Sequence, residues 1–252
     1  MLIERMTKQG DWLFRYRGVL PALLLIPGLW TFSRFQYMAG SHGAQQVWDW
    51  ICFGVSVLGL VLRATTVGFV DEGTSGRNTI GQRATELNTT GWYSVVRNPL
   101  YLGNFLIMLG TILVPADLAF LTVTACLFWI YYERIIATEE SFLHEKFGQP
   151  YAEWAHRTPV VVPRLKGWEP SSRTFRWRMV LRREYTAVLL IGIAFLVLNI
   201  VEHAVTERRL SADLPWVVMF LISLTTYLIL RTMKKHTRIL DVAEVIRPAD
   251  TL

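Results

Sequence analysis

The chain has 252 residues, of which 52% are hydrophobic, with ten tryptophans, a mean hydropathy of +0.31 and a formal net charge of +6. So much apolar surface exceeds what the core of a water-soluble domain can bury, and part of the solvent must therefore be lipid. The positive charge is spread along the flanks of apolar segments rather than gathered on one face, which argues against a nucleic-acid binder and fits attraction to anionic lipid.

Residues 1–17 carry Arg5, Lys8, Arg15 and Arg17 ahead of an apolar run over residues 18–39. That run is too long for a signal-peptide core and has no small-x-small cleavage site, so it reads as an uncleaved first span. Pro21 and Pro27 are positioned to kink it, and Arg34 near its far end can snorkel to the interface. A second span is expected over residues 47–70. It holds Arg63 well inside the apolar run, where the cost of an unpaired charge directs the side chain toward the protein interior or a polar cavity. Gly54 and Gly59 lack GxxxG spacing and read as packing positions.

Residues 71–101 form a polar loop rich in Gly, Thr and Asn. Asn88-Thr-Thr90 matches a glycosylation acceptor, a match rejected because charge bias places the loop in the cytoplasm. A helical hairpin follows, with spans over residues 102–114 and 118–136 and a turn at Val114-Pro115-Ala116-Asp117. The first arm is short for a hydrocarbon layer of about 30 Å unless its helix begins near Pro99, a residue favoured in a first helical turn. Residues 131–184 are amphipathic and basic, and residues 171–184, with Phe175, Trp177 and Met179 among five arginines, read as an interfacial segment. Two further spans are expected over residues 185–204 and 214–230.

With this layout the proposed cytoplasmic pieces hold twenty-two Lys and Arg, against Arg208 and Arg209 on the other side. So strong a positive-inside bias places both termini in the cytoplasm. The expected fold is an all-α polytopic membrane bundle of about six transmembrane helices, forming a single membrane domain over residues 1–252. Residues 1–70 are its first two spans, residues 71–168 the loop, hairpin and cofactor-binding segment, and residues 169–252 the interfacial segment and two extra spans. Cys52 and Cys126 both lie in apolar segments, so neither a disulfide framework nor a zinc site is legible. His144 reads as a helix-turn partner of Glu140 rather than a metal ligand, and Glu202 with His203 as interfacial residues.

The informative residues stand at the two feet of the hairpin. On one side are Trp92, Tyr93, Arg97, Asn98 and Tyr101; on the other are Glu139 and Glu140, adjacent on a helix and so about 100° apart around it. A hairpin returns both feet to the same membrane face. Arg97 and Asn98 offer directed donors for a carboxylate or phosphate. The glutamates can accept from an ammonium group or ribose hydroxyls, and the aromatic rings offer faces for a heterocycle or a cation. S-adenosylmethionine carries a carboxylate, an ammonium, a ribose and a positive centre. In-line methyl transfer to an oxyanion needs positioning and exclusion of water rather than an obligatory general base.

The ordered residues Gly91-x-Tyr93-x-x-x-Arg97-Asn98-Pro99-x-Tyr101-x-Gly103, the apolar hairpin, Glu139-Glu140, Phe147-Gly148-x-x-Tyr151-x-x-Trp154 and Pro163-Arg164 resemble the isoprenylcysteine carboxyl methyltransferase and phospholipid methyltransferase superfamily. The resemblance covers residues 87–164. It implies an integral-membrane enzyme that uses S-adenosylmethionine at the cytoplasmic end of the hairpin on a membrane lipid or lipidated substrate arriving from the bilayer. By motif, Leu87, Asn88, Tyr93, Asn98, Pro99, Leu100, Tyr101 and Glu139 would line the cofactor pocket. Arg97 would sit beside the transferred methyl or the acceptor's anion, with Glu140 supporting the pocket. The family usually has His where Asn98 stands, and Asn cannot titrate near neutrality. Arg134 is a rough, out-of-register counterpart of the family's basic residue before the paired glutamates, and it is assigned with Arg63 to acceptor binding. Arg63, Arg83, Arg97 and Arg134 together favour O-methylation of a carboxylate or phosphate. The alternatives are a phospholipid N-methyltransferase, an NADPH-dependent sterol-type reductase, from which the paired glutamates argue away, and a non-catalytic scaffold.

Overall fold

The computed structural model describes residue 13, residues 25–70 and residues 84–241. Among these the chain is all helical. Its helices are α1 (Leu25–Phe32), α2 (His42–Gly68), α3 (Pro99–Leu113), α4 (Leu118–Phe147), α5 (Gln149–Arg157), α6 (Trp177–Thr206) and α7 (Leu214–His236). Helices α2, α4, α6 and α7 are long and apolar enough to cross a membrane, and α3 is a shorter apolar helix. Their outward faces expose Ile51, Leu58, Leu127, Val197 and Ile222, side chains that hydrocarbon rather than water would solvate. The chain is an integral membrane protein.

Helix α2 packs most extensively on α3, with α6 on its other side and α7 on α6, while α4 folds back along α3. Small residues permit the close α2–α3 approach. A Cβ at Gly59 would stand 2.6 Å from the carbonyl oxygen of Gly103, and one at Gly110 would collide with Ser56 and the Cys52 carbonyl. Such contact is how membrane helices gain dispersion energy without a hydrophobic driving force between them. Gly54 faces open space instead, so only Gly59 of the two glycines is a packing position. Polar side chains of α2 close the ladder of α3: Ser56 donates to the Ile107 carbonyl at 2.9 Å, Trp48 Nε1 to Leu113 at 2.9 Å, and Gln45 to Val114 at 3.2 Å. The last two satisfy carbonyls that a helix C-terminus leaves without an internal partner.

Several boundaries differ from expectation. The first apolar run does not continue as helix to residue 39. Helix α1 stops at Phe32, where the Ser33 hydroxyl donates to the Trp30 carbonyl and Arg34 stacks on the Trp30 ring at 4.4 Å. Beyond it Phe35 turns inward and joins Phe32, Cys52, Phe195 and Trp216 in the apolar core. Helix α3 begins at Pro99, early enough to lengthen the short arm. Helix α4 runs unbroken to Phe147 and carries both glutamates; Asp117 caps its start by accepting from the Phe120 amide at 2.7 Å. The segment read as interfacial is no separate element from Trp177 onward, because those residues are the opening turns of α6.

Arg63 is a correction. Its guanidinium does face the interior, but it is spent there: Nε and Nη2 donate to Glu184 of α6 at 2.9 and 2.8 Å, and Nη1 donates to Asn104 of α3 at 2.5 Å. The pair is mostly buried, with side-chain exposures of 14% and 5%. Arg63 therefore joins three helices and offers no uncompensated charge to an acceptor. Glu184→Gln, which leaves the guanidinium without its counter-charge, should cost about 3–5 kcal/mol of stability. Arg63→Met combined with Glu184→Met should recover most of that loss, since no charge is then left buried. Thermal unfolding of the detergent-solubilised chain compares the two; a double variant no more stable than Glu184→Gln would contradict the assignment.

Candidate active site

The hairpin brings its two feet together. Arg97 Nη1 donates to both carboxylate oxygens of Glu140 at 3.0 Å, and the Tyr101 hydroxyl donates to Glu139 at 2.6 Å. Two adjacent glutamates on α4 are thus held by residues at the entrance of α3, one by charge and one by a neutral hydroxyl. Both partners of the ion pair are part-exposed, 19% for Arg97 and 26% for Glu140, so they are reachable from outside the fold.

The irregular segment after α5 fixes the approach to α3. Arg97 Nε donates to the Thr158 carbonyl at 2.8 Å, its backbone amide to Pro159 at 2.8 Å, and Asn98 Nδ2 to Val160 at 3.1 Å. Arg164 returns the contact through its amide to the Val95 carbonyl at 3.0 Å, and Trp154 Nε1 donates to the Tyr93 carbonyl at 2.9 Å. The chain reaches this segment because Gly148, at φ 57, reverses direction between α4 and α5. An L residue would resist that conformation. Beside Arg97 lies an open cleft of about 390 Å³, lined in part by Arg97, Arg157, Thr158, Pro163 and Arg164. It is basic, and it takes in the arginine but not Tyr101 or Glu139.

Aromatic side chains frame the carboxylates. The Tyr101 ring lies 4.7 Å from Tyr132 and the Tyr151 ring 5.8 Å from His144. His144 thus packs on Tyr151. Burial, and then the negative charge of Glu139, push the Tyr93 hydroxyl above the ordinary phenol range. Burial and the adjacent Glu140 carboxylate likewise push Tyr151 up to about 12, against the opposing pull of Arg97. Both phenols therefore stay protonated around neutral pH, so neither is a base there.

Of the residues singled out from sequence, the structure joins Arg97 to Glu140 and Tyr101 to Glu139, and it buries Pro99 at the start of α3. Leu87 and Leu100 are half-buried. Asn88 accepts from Arg173 at 3.3 Å, and Arg173 also pairs with Glu86 at 2.6 Å. Arg134 donates to the Ile130 carbonyl of its own helix at 2.9 Å and lies 3.6 Å from Glu133. Arg83 lies outside the described residues. Sequence reasoning missed Thr158 and Val160, whose contribution is a backbone carbonyl and carries no side-chain signal. It also missed Asn104, one turn beyond Tyr101, which donates to Tyr132 at 3.3 Å and accepts from Arg63.

The phospholipid methyltransferase family model matches residues 50–150. The nickel-cobalt-cadmium resistance protein NccN of Alcaligenes xylosoxydans xylosoxydans is 29% identical over 194 residues, 76% of this chain and 88% of that protein. The cobalt-zinc-cadmium resistance protein CzcN of Cupriavidus metallidurans is 41% identical over 85 residues, 34% of this chain and 39% of that one. Protein-S-isoprenylcysteine O-methyltransferase B of Arabidopsis thaliana is 33% identical over 127 residues, 48% of this chain and 63% of that enzyme. The chain thus spans less than two thirds of the latter two. No solved structure matches it.

Arg97→Ala should free the segment after α5, because it removes the side-chain bond to Thr158 and leaves Glu140 without its counter-charge. A charged hydrogen bond contributes about 1.5–3 kcal/mol, so hydrogen exchange of residues 158–164 should accelerate on the order of tenfold or more. Exchange at the parental rate would show that the lacing does not depend on the guanidinium.

Proposed function

We propose that the chain is a membrane methyltransferase of the superfamily that includes the phospholipid and isoprenylcysteine carboxyl methyltransferases, a reading supported by its similarity to them, and that the feet of its hairpin hold S-adenosylmethionine and methylate a lipid or lipidated acceptor. The single observation that carries this reading is the pairing of Glu139 with Tyr101 beside the pairing of Glu140 with Arg97. The donor set suits the ligand. Glu139 would take the ammonium or a ribose hydroxyl, the Tyr93 and Tyr101 rings would pack on the adenine, and Asn98 would fix one wall through Val160. Bound there, S-adenosylmethionine supplies an electrophilic methyl on a sulfonium and leaves as a neutral thioether.

The acceptor would lie on the Arg97 side, where Arg157 and Arg164 line the same cleft. Three arginines attract a carboxylate or phosphate and repel an ammonium, which supports O-methylation over N-methylation. Such an oxyanion is already a nucleophile, and neither Asn98 nor the two protonated phenols needs to act as a base. Arg97 would neutralise the acceptor while Glu140 keeps the guanidinium in place, so that Glu140 positions and Arg97 binds. With α1 as the end of a first span and α3 as a short one, the chain would cross the membrane six times, with both termini on the cytoplasmic side where the basic residues gather. The names of NccN and CzcN say that those two proteins serve resistance to nickel, cobalt and cadmium and to cobalt, zinc and cadmium.

Purified chain in lipid nanodiscs, given methyl-labelled S-adenosylmethionine and separated membrane lipids, should place label in an alkali-labile methyl ester. Label confined to amine headgroups would defeat the O-methyl assignment. Glu139→Gln should weaken S-adenosylhomocysteine binding on the order of tenfold or more with folding retained. Unchanged affinity with marked destabilisation would make the site structural only.

A further inference from the structure

At the opposite end of the bundle from Arg97, three helix ends meet around a second set of polar groups. His42 opens α2, His203 lies in the last turn of α6, and Asp213 precedes α7. His42 Nε2 stands 3.0 Å from Asp213 Oδ2, and His203 Nε2 stands 3.3 Å from Asp213 Oδ1. One nitrogen from each histidine and one carboxylate oxygen all fall within 4.8 Å of one another.

An orphaned nitrogen makes this more than a hydrogen-bonded knot. His203 Nδ1 lies 3.1 Å from Glu207 Oε1 and 3.4 Å from the Tyr37 hydroxyl, so that nitrogen has partners. His203 Nε2 is fully buried and makes no hydrogen bond, although a carboxylate oxygen of Asp213 stands 3.3 Å away. A buried polar nitrogen without a partner is costly, and a metal ion held by both groups would supply one. The ligands of a tetrahedral zinc ion lie about 3.3 Å apart for bonds of about 2.0–2.1 Å, and the two histidines stand 3.0 and 3.3 Å from the carboxylate. The outer contacts match as well. A metal-bound histidine commonly has a carboxylate beside its second nitrogen, and Glu207 lies 3.1 Å from Nδ1 of His203. Asp213 is itself held, accepting from Asn199 Nδ2 at 3.1 Å while its amide donates to Asn199 Oδ1 at 2.8 Å.

We propose that His42, His203 and Asp213 bind one divalent transition-metal ion of the zinc, cobalt or nickel class at the end of the bundle remote from the hairpin feet. Two imidazoles and one carboxylate select this class over calcium or magnesium, which take oxygen ligands. Three protein ligands leave a coordination position for water. The side chain of His42 is 37% exposed, giving the ion a way in, whereas His203 is 4% exposed and anchors it. The ion would tie the starts of α2 and α7 to the end of α6. The site stands on its own geometry and does not depend on the methyltransferase reading.

The test is a cobalt(II) titration of the full chain, freed of any histidine tag, in zwitterionic nanodiscs and followed by visible absorption. One cobalt ion per chain should bind, with a spectrum that zinc(II) abolishes by displacement. His42→Gln, at a part-exposed position whose loss leaves the core intact, and Asp213→Asn should each weaken binding on the order of tenfold or more, while His144→Ala should leave it unchanged. Absence of saturable binding, or equal binding by the parent, His42→Gln and Asp213→Asn, would overturn the proposal.

Discussion

Two contacts between the arms of one hairpin, Arg97 with Glu140 and Tyr101 with Glu139, set the geometry on which the candidate site depends. Each joins the first residues around α3 to the far part of α4, and each requires that the turn at residues 114–117 return α4 along α3 in one register. A slip of one helical residue would rotate Glu140 by about 100° away from Arg97. The placement of α3 itself is set by the glycine contacts that lock it onto α2 and by the α2 side chains that satisfy its last carbonyls. In hydrocarbon no water is present to take over those bonds, so packing along the length of α3 supports the site at its start.

The same requirement accounts for the polar groups inside the bundle. Arg63 and Glu184 neutralise one another across α2 and α6, and Asn104 carries that network to Tyr132, next to Tyr101. The ion pair thus stands directly behind the site and couples the placement of α6 to the hairpin. At the remote end, Gln45 donates to Asp49 at 2.8 Å and to Glu202 at 3.2 Å, and Asn199 links that layer to Asp213. One polar layer therefore supports each end, with the apolar core of Phe32, Phe35, Cys52, Phe195 and Trp216 lying toward the remote one.

Much of this was legible in the sequence. The hairpin, its early start at Pro99 and the convergence of Arg97 with the paired glutamates follow from apolar run lengths and from the rule that a hairpin returns to its starting face. What was not legible depends on partners distant in the chain. Arg63 was assigned to an acceptor because Glu184, 121 residues away, sits in a segment whose arginines and aromatics suggested an interface. Glu202 and His203 were read as interfacial for a similar reason; they are 2% and 3% exposed, because Gln45, Asn199 and Asp213 from three elements close over them. Thr158 and Val160 act through carbonyl oxygens, which no residue type announces.

The central claim is that the hairpin feet surround the methyl donor, and direct ultraviolet cross-linking of radiolabelled S-adenosylmethionine to the intact membrane-embedded chain tests it, with the attachment point mapped by peptide sequencing. Label is expected within residues 87–104 or 132–160, and it should be lost when excess S-adenosylhomocysteine is present. Label that persists under competition, or that falls on α7 or the opening turns of α2, would contradict it.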